Sequence, residues 1–169
     1  MSVKKFIKST IAITAIVVSC LNTYGASYTT KAVPVGASKK TYMSYKSITN
    51  RTSYQYKLQK RATTGKYGIR TIDGRYCVAV GSYYCTTIGT KLDIIMENGT
   101  IVKCVLADGK DNKHTDSSNR LGKNGCIVEF IVDTKSLDKT CKKMGDMSYV
   151  SSGGLKGAVK SIRVYDETV

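Results

Sequence analysis

The chain has 169 residues, room for one ordinary domain but not for two large ones. With 41% hydrophobic residues, 15 Gly, a single Pro and no Trp, it belongs among β-rich or mixed globular proteins and lies outside the weakly hydrophobic range of disordered chains. Lys and Arg number 27 against 12 Asp and Glu, a net charge of +15, yet residues 1–72 hold 13 of the basic residues and no acid, leaving 14 basic against 12 acidic from Asp73 onward. The excess charge therefore belongs largely to residues 1–72, so a uniformly basic surface is excluded and nucleic acid is not an expected partner.

The first element is an export signal. Lys4, Lys5 and Lys8 precede the apolar run Ile11 to Leu21, which is too short for a stable bilayer span, so residues 1–26 are expected to form a signal peptide. Two endings fit the pattern. Cleavage after Gly25 uses Thr23 and Gly25 as the small residues, whereas Val17-Val18-Ser19-Cys20 resembles the lipobox of bacterial lipoproteins, with Cys20 as the lipidated residue. The polar and basic stretch 27–40, with Val33-Pro34-Val35-Gly36 at its middle, reads as a flexible tether, and residues 41–169 as the folded domain.

Within that domain Thr49 or Asn50 is placed to cap a short helix through SYQYKLQKRA, ended by Gly65 and Gly68. Strands are then expected over Arg75 to Val80, Lys91 to Met96, Ile101 to Leu106 and Ile127 to Val132, each short, β-branched and bounded by Gly or polar turns. Asn98-Gly99 between two of them predicts a type I′ hairpin. Ala158 to Tyr165 adds a fifth strand after a Ser-Gly-Gly loop, and several strands with little helix imply a small barrel or sandwich.

Five cysteines follow the export segment: Cys77, Cys85, Cys104, Cys126 and Cys141. Outside the cytoplasm they allow up to two disulfides and one remaining thiol, with the connectivity open. There is no Cys-x-x-Cys pair, and the single histidine, His114, is far from the cysteines in sequence, so the spacing of a zinc site is missing. Asp108, Asp111 and Asp116 lack the alternation and the glycine of an EF-hand loop. No metal and no cofactor are expected.

Four pieces in order carry a family resemblance: Arg75-Tyr76-Cys77-Val78-Ala79-Val80-Gly81, Ile88-Gly89-Thr90-Lys91-Leu92, Val105-Leu106-Ala107-Asp108-Gly109 and Ile127-Val128-Glu129-Phe130. Together they resemble the double-psi β-barrel of rare-lipoprotein-A-like proteins, three-aspartate-domain cell-wall proteins, membrane-bound lytic transglycosylases and expansins. The resemblance implies a mainly β fold, a small six-stranded double-psi β-barrel with a short N-terminal helix. It also makes Asp108 the acid that cleaves peptidoglycan glycan strands. Two positions depart from the pattern. Gly81 stands where an acid tends to follow the opening strand, and Glu129 replaces an Asp.

Asp108 and Glu129 are thus the catalytic candidates, one carboxyl sufficing for a lytic transglycosylase and two being the rule for ordinary glycosidases. The polar loop from Asp108 to Arg120 supplies Asp111, His114, Asp116 and Arg120 as substrate contacts, and Tyr83-Tyr84 supplies aromatic faces for sugar rings. The partner expected is peptidoglycan or another wall polysaccharide, and the location is outside the cytoplasm, secreted or anchored to the outer face of its membrane. Two other readings stand beside it: a non-catalytic wall or protein-interaction module, and contact with anionic surfaces through the ten basic residues from Lys31 to Arg70.

Overall fold

The computed structural model describes residues 25–169. The export signal and Cys20 therefore lie outside the described residues. Among the described residues nine strands form one mixed sheet, with two α-helices: β1 (Tyr28–Ala32), β2 (Lys40–Ser44), α1 (Tyr54–Arg61), β3 (Thr63–Thr64), β4 (Arg70–Ile72), β5 (Arg75–Val80), β6 (Thr90–Met96), β7 (Ile101–Gly109), β8 (Val128–Val132), α2 (Lys139–Met144) and β9 (Val159–Thr168). The protein is mainly β. Hydrogen-bonded neighbours run β1-β9-β6-β7-β5-β4-β3, with β8 also on β5 and β2 on β8, and the sheet does not close into a ring. The β5–β7 and β2–β8 pairs are parallel and the others antiparallel.

The five expected strands all form, because each buries apolar side chains on the sheet. The β5 and β7 strands are interior to it and bury both faces. Val78, Val80, Leu92, Ile94, Leu106, Phe130 and Ile162 build the larger core, while Cys77, Val105, Ala107 and Ile131 pack on the other face with Leu58 of α1. Arg75 clamps three strands from one guanidinium nitrogen. Its Nη1 donates to Asp93 Oδ1 at 3.0 Å and to the carbonyls of Leu92 and Cys104, both at 3.2 Å, and Tyr165 donates to Asp93 Oδ2 at 2.6 Å.

Several local expectations are corrected. Residues 27–40 are not a free tether: β1 pairs with β9 from Tyr28↔Tyr165 to Ala32↔Ser161, and Lys40 is buried. The Thr-Thr pair favours a strand, and its polarity concealed an edge strand that is largely solvent-facing. The helix starts later than Thr49 or Asn50, capped by Ser53, whose hydroxyl accepts from Tyr56 N at 3.1 Å, and it stops before Thr63 rather than at Gly65. The tight two-residue turn with positive φ at both positions is Asp73-Gly74 (φ 49° and 72°), whereas at Asn98-Gly99 only Gly99 is left-handed and Met96 N bonds across to Thr100 O.

Among the described residues the five cysteines are free thiols, four of them buried. Neighbouring strands place Cys77 in the smaller core and Cys104 in the larger one, on opposite faces of the sheet, which separates the two thiols that the register brings nearest. Burial pushes the Cys77 thiol up to about 11 against the lesser pull of Gln59 and Arg70, and burial with the Asp138 and Asp146 charges pushes Cys141 up to about 11. Thiols held protonated by the fold stabilise it fully below 9.0, their ordinary value, and this contribution is lost as pH rises through 11. Lys40 works in the opposite sense between about 8 and 10.5, because burial lowers its pKa to about 8. Urea midpoints are therefore expected to fall between pH 9 and 11, and to fall less in Cys77→Ala/Cys141→Ala; an equally steep decline in that variant refutes the assignment.

Candidate functional site

Asp108 lies at the end of β7 because the strand's run of buried apolar residues ends there and Gly109 follows into the polar loop. Its orientation depends on an irregularity. Tyr76, Cys77 and Val78 of β5 face Cys104, Val105 and Leu106 in regular register, and then Ala79 faces Asp108, so Ala107 is an extra residue on β7. A bulge of this kind re-aims the following side chain. Without it, Asp108 would share the parity of Leu106 and point toward the larger core. With it, Asp108 falls in one row with Ala79, Glu129 and Thr41, since Ala79 pairs with Glu129 across β5–β8 and Thr41 with Glu129 across β2–β8. Two carboxylates thus flank the small side chain of Ala79 on successive strands, their Cα atoms two strand spacings apart, roughly 10 Å.

The two carboxylates have different surroundings. Asp108 is half-buried and lines a cavity of about 270 Å³ with Ser47, Ile48, Thr49, Asn50, Ser53 and Gln55. Burial raises its pKa above the ordinary carboxylate value; the Glu129 charge adds to this, while hydrogen bonds from Gly109 N (2.9 Å, to Oδ1) and the Gln55 side chain offset part of it. Glu129 has both oxygens engaged: Thr41 Oγ1 donates to Oε1 at 3.2 Å and Lys110 Nζ pairs with Oε2 at 3.6 Å. It opens on a second cavity, of about 520 Å³, together with Lys110, Asp111, His114, Lys123 and Asn124. Of the pair, Asp108 is the one equipped to hold a proton and deliver it, and Glu129 the one held by a cation.

The remaining expected contacts separate. Exposed Asp111 and His114 reach the Glu129 cavity, although Asp111 also caps the short turn Asn112–His114 and pairs with Lys113 at 3.0 Å. Asp116 accepts from Arg120 N at 2.9 Å and from Ser118 Oγ at 3.0 Å, holding its own loop. The Arg120 guanidinium lies 4.1 Å from the centre of the Tyr83 ring, so these two side chains face each other. Tyr84 is corrected as a groove residue: it is buried in the larger core, 3% exposed, and burial pushes its phenol up to about 12. Gln55, Lys110 and Thr41 were not anticipated. Only Lys110 had a signal in the sequence, a lysine two residues past Asp108.

No protein-family model, no curated protein and no solved structure matches the chain.

Proposed function

We propose that this chain is an exported, wall-associated protein whose sheet is a double-psi β-barrel, and that its Asp108 groove binds and cleaves the glycan strand of peptidoglycan in the manner of a lytic transglycosylase. The observation that carries the reading is the placement of Asp108: half-buried on a cavity, turned by the Ala107 bulge into line with Glu129, and raised in pKa by burial. The barrel reading is supported by two parallel pairs of non-consecutive strands within an otherwise antiparallel sheet. It is also supported by the hydrogen bond from Val159 N to Ala37 O, 2.9 Å, which brings the chain before β2 beside the start of β9.

In this mechanism protonated Asp108 gives its proton to the glycosidic oxygen as the bond to C1 breaks. The resulting carboxylate then takes the proton of the sugar's 6-hydroxyl as that oxygen closes onto C1, so the product is a 1,6-anhydro ring and no water is consumed. A carboxyl of raised pKa suits the first step, since it remains protonated at higher pH than an ordinary aspartate.

A second reading, a non-catalytic wall-binding module, is favoured by Gly81. A Cβ at this position would lie 2.0 Å from Asn119 O, so loop backbone occupies the place where the resembled pattern puts an acid. Purified sacculi separate the two: soluble 1,6-anhydro muropeptides mean cleavage, and pelleting without release means binding alone. Export is tested by intact mass of protein recovered from outside the cytoplasm. A diacylglyceryl adduct starting at Cys20 or an unmodified start near Ala26 supports the reading, and retained Met1 contradicts it.

A further inference from the structure

The ten basic residues from Lys31 to Arg70 do not form one surface. Lys31 lies 5.6 Å from the Tyr83 ring, Lys39 donates to Asn124 O at 3.1 Å, and Arg61 pairs with Asp73 at 3.9 Å. Lys40 is buried, donating to Ser38 O and Gly157 O at 2.7 Å each. Three others converge. Lys46, Arg51 and Lys60 line one cavity of about 350 Å³ together with Tyr45 and Tyr56, and among the described residues none of the three forms an ion pair.

A fourth cation lies beside this cavity. Arg70 is 9% exposed and stacks 4.6 Å from the centre of the Tyr45 ring, yet among the described residues its hydrogen bonds go only to neutral acceptors, such as Gln59 O at 2.7 Å and Thr64 Oγ1 at 2.8 Å. Buried charges are ordinarily paired, and a buried guanidinium without a carboxylate leaves a positive charge that solvent screens poorly. The same cavity shares Ile48 and Thr49 with the one that holds Asp108. The two cavities therefore adjoin along Ile48 and Thr49, with an acid in one and uncompensated cations in the other.

We propose that the compartment of Lys46, Arg51 and Lys60 is a carboxylate-binding subsite that takes the acidic substituent of a saccharide whose neutral rings extend toward Asp108. The identification of that saccharide as wall glycan rests on the reading above; the charge preference does not. Arg51 supplies the planar fork that matches a carboxylate, the two lysines supply point charges, and Tyr56 supplies a ring against which a sugar packs. The buried Arg70 charge makes the preference for an anion a property of the folded groove rather than of solvated lysines alone.

The test is calorimetric binding of four probes to the protein and to Arg51→Gln/Lys60→Gln, two exposed positions whose change leaves the core intact. The probes are N-acetylglucosaminyl-N-acetylmuramic acid, its methyl ester, an oligogalacturonate, and vesicles of phosphatidylglycerol. The free acid is expected to bind about tenfold tighter than the ester, and the variant to remove that difference. Equal binding of acid and ester, unchanged in the variant, overturns the subsite and leaves the glycan reading standing. Variant-sensitive binding of oligogalacturonate alone supports the subsite and overturns the wall glycan as its source. Vesicle binding without saccharide binding assigns the cations to a membrane surface and overturns the proposal, and binding of no probe overturns the subsite and the glycan reading together.

Discussion

Asp108→Asn is expected to keep the fold and to lower release of 1,6-anhydro products from sacculi by about 100-fold or more. The amide nearly matches the carboxyl in shape, and its oxygen can still accept from Gly109 N, which donates to Asp108 Oδ1 at 2.9 Å. An amide has no acidic proton to give the leaving oxygen, and without that step neither the bond cleavage nor the ring closure proceeds at a useful rate. The pH profile carries the same signature. Burial and the Glu129 charge place the pKa of Asp108 above the ordinary carboxylate value, so the alkaline limb of activity should lie above the range of a free aspartate. Glu129→Gln should move that limb toward lower pH by removing the neighbouring charge, with a smaller loss of rate, because Glu129 faces Lys110 and Thr41 and is not the donor. Product release from Asp108→Asn at the wild-type rate removes Asp108 as the acid, and no release from wild type under any condition favours the non-catalytic reading.

What was legible in the sequence and what was not follow from the range of the interactions involved. The five strand-like runs carry their signal locally, in β-branched residues between turns, and each became a strand with bounds within three residues of the expected ones. The edge strand Tyr28–Ala32 has no such signal, because its side chains are mostly exposed and its reason to be extended is its partner β9, more than 120 residues away in sequence. The sequence offers Tyr84 as an aromatic face for sugar rings; only the fold shows that its ring is buried in the larger core. At the site, Asp108 is singled out only by the resemblance that Val105-Leu106-Ala107-Asp108-Gly109 helps to carry. The bulge that turns it toward Glu129 depends on the registers of β5, β7 and β8 together, and no single segment encodes that.

Gly81→Asp, the substitution that would restore the acid of the resembled pattern, is expected to destabilise the protein by about 3 kcal/mol or more and to add no activity. A Cβ at Gly81 meets Asn119 O at 2.0 Å and Asn119 C at 2.9 Å, contacts with backbone that cannot be relieved by turning a side chain. The loop has little freedom to retreat. Asn119 N donates to Asp116 O at 3.0 Å, its side-chain oxygen accepts from Thr115 Oγ1 at 2.7 Å, and its φ of 54° is already left-handed. Asp116 in turn is fixed by Arg120 N. The carboxylate would also enter a buried position, adding desolvation to the steric cost. Thermal unfolding should show a midpoint lowered by roughly 10 °C. Gly81→Ala should account for most of it, because the first added carbon already makes the clash. If Gly81→Asp melts with wild type, the Asn119 loop is free to move and the steric account fails. If it also cleaves faster, the acid belongs at 81, whereas a melted, inactive Gly81→Asp together with an active wild type means that activity needs no acid at 81, where the backbone of Asn119 is packed.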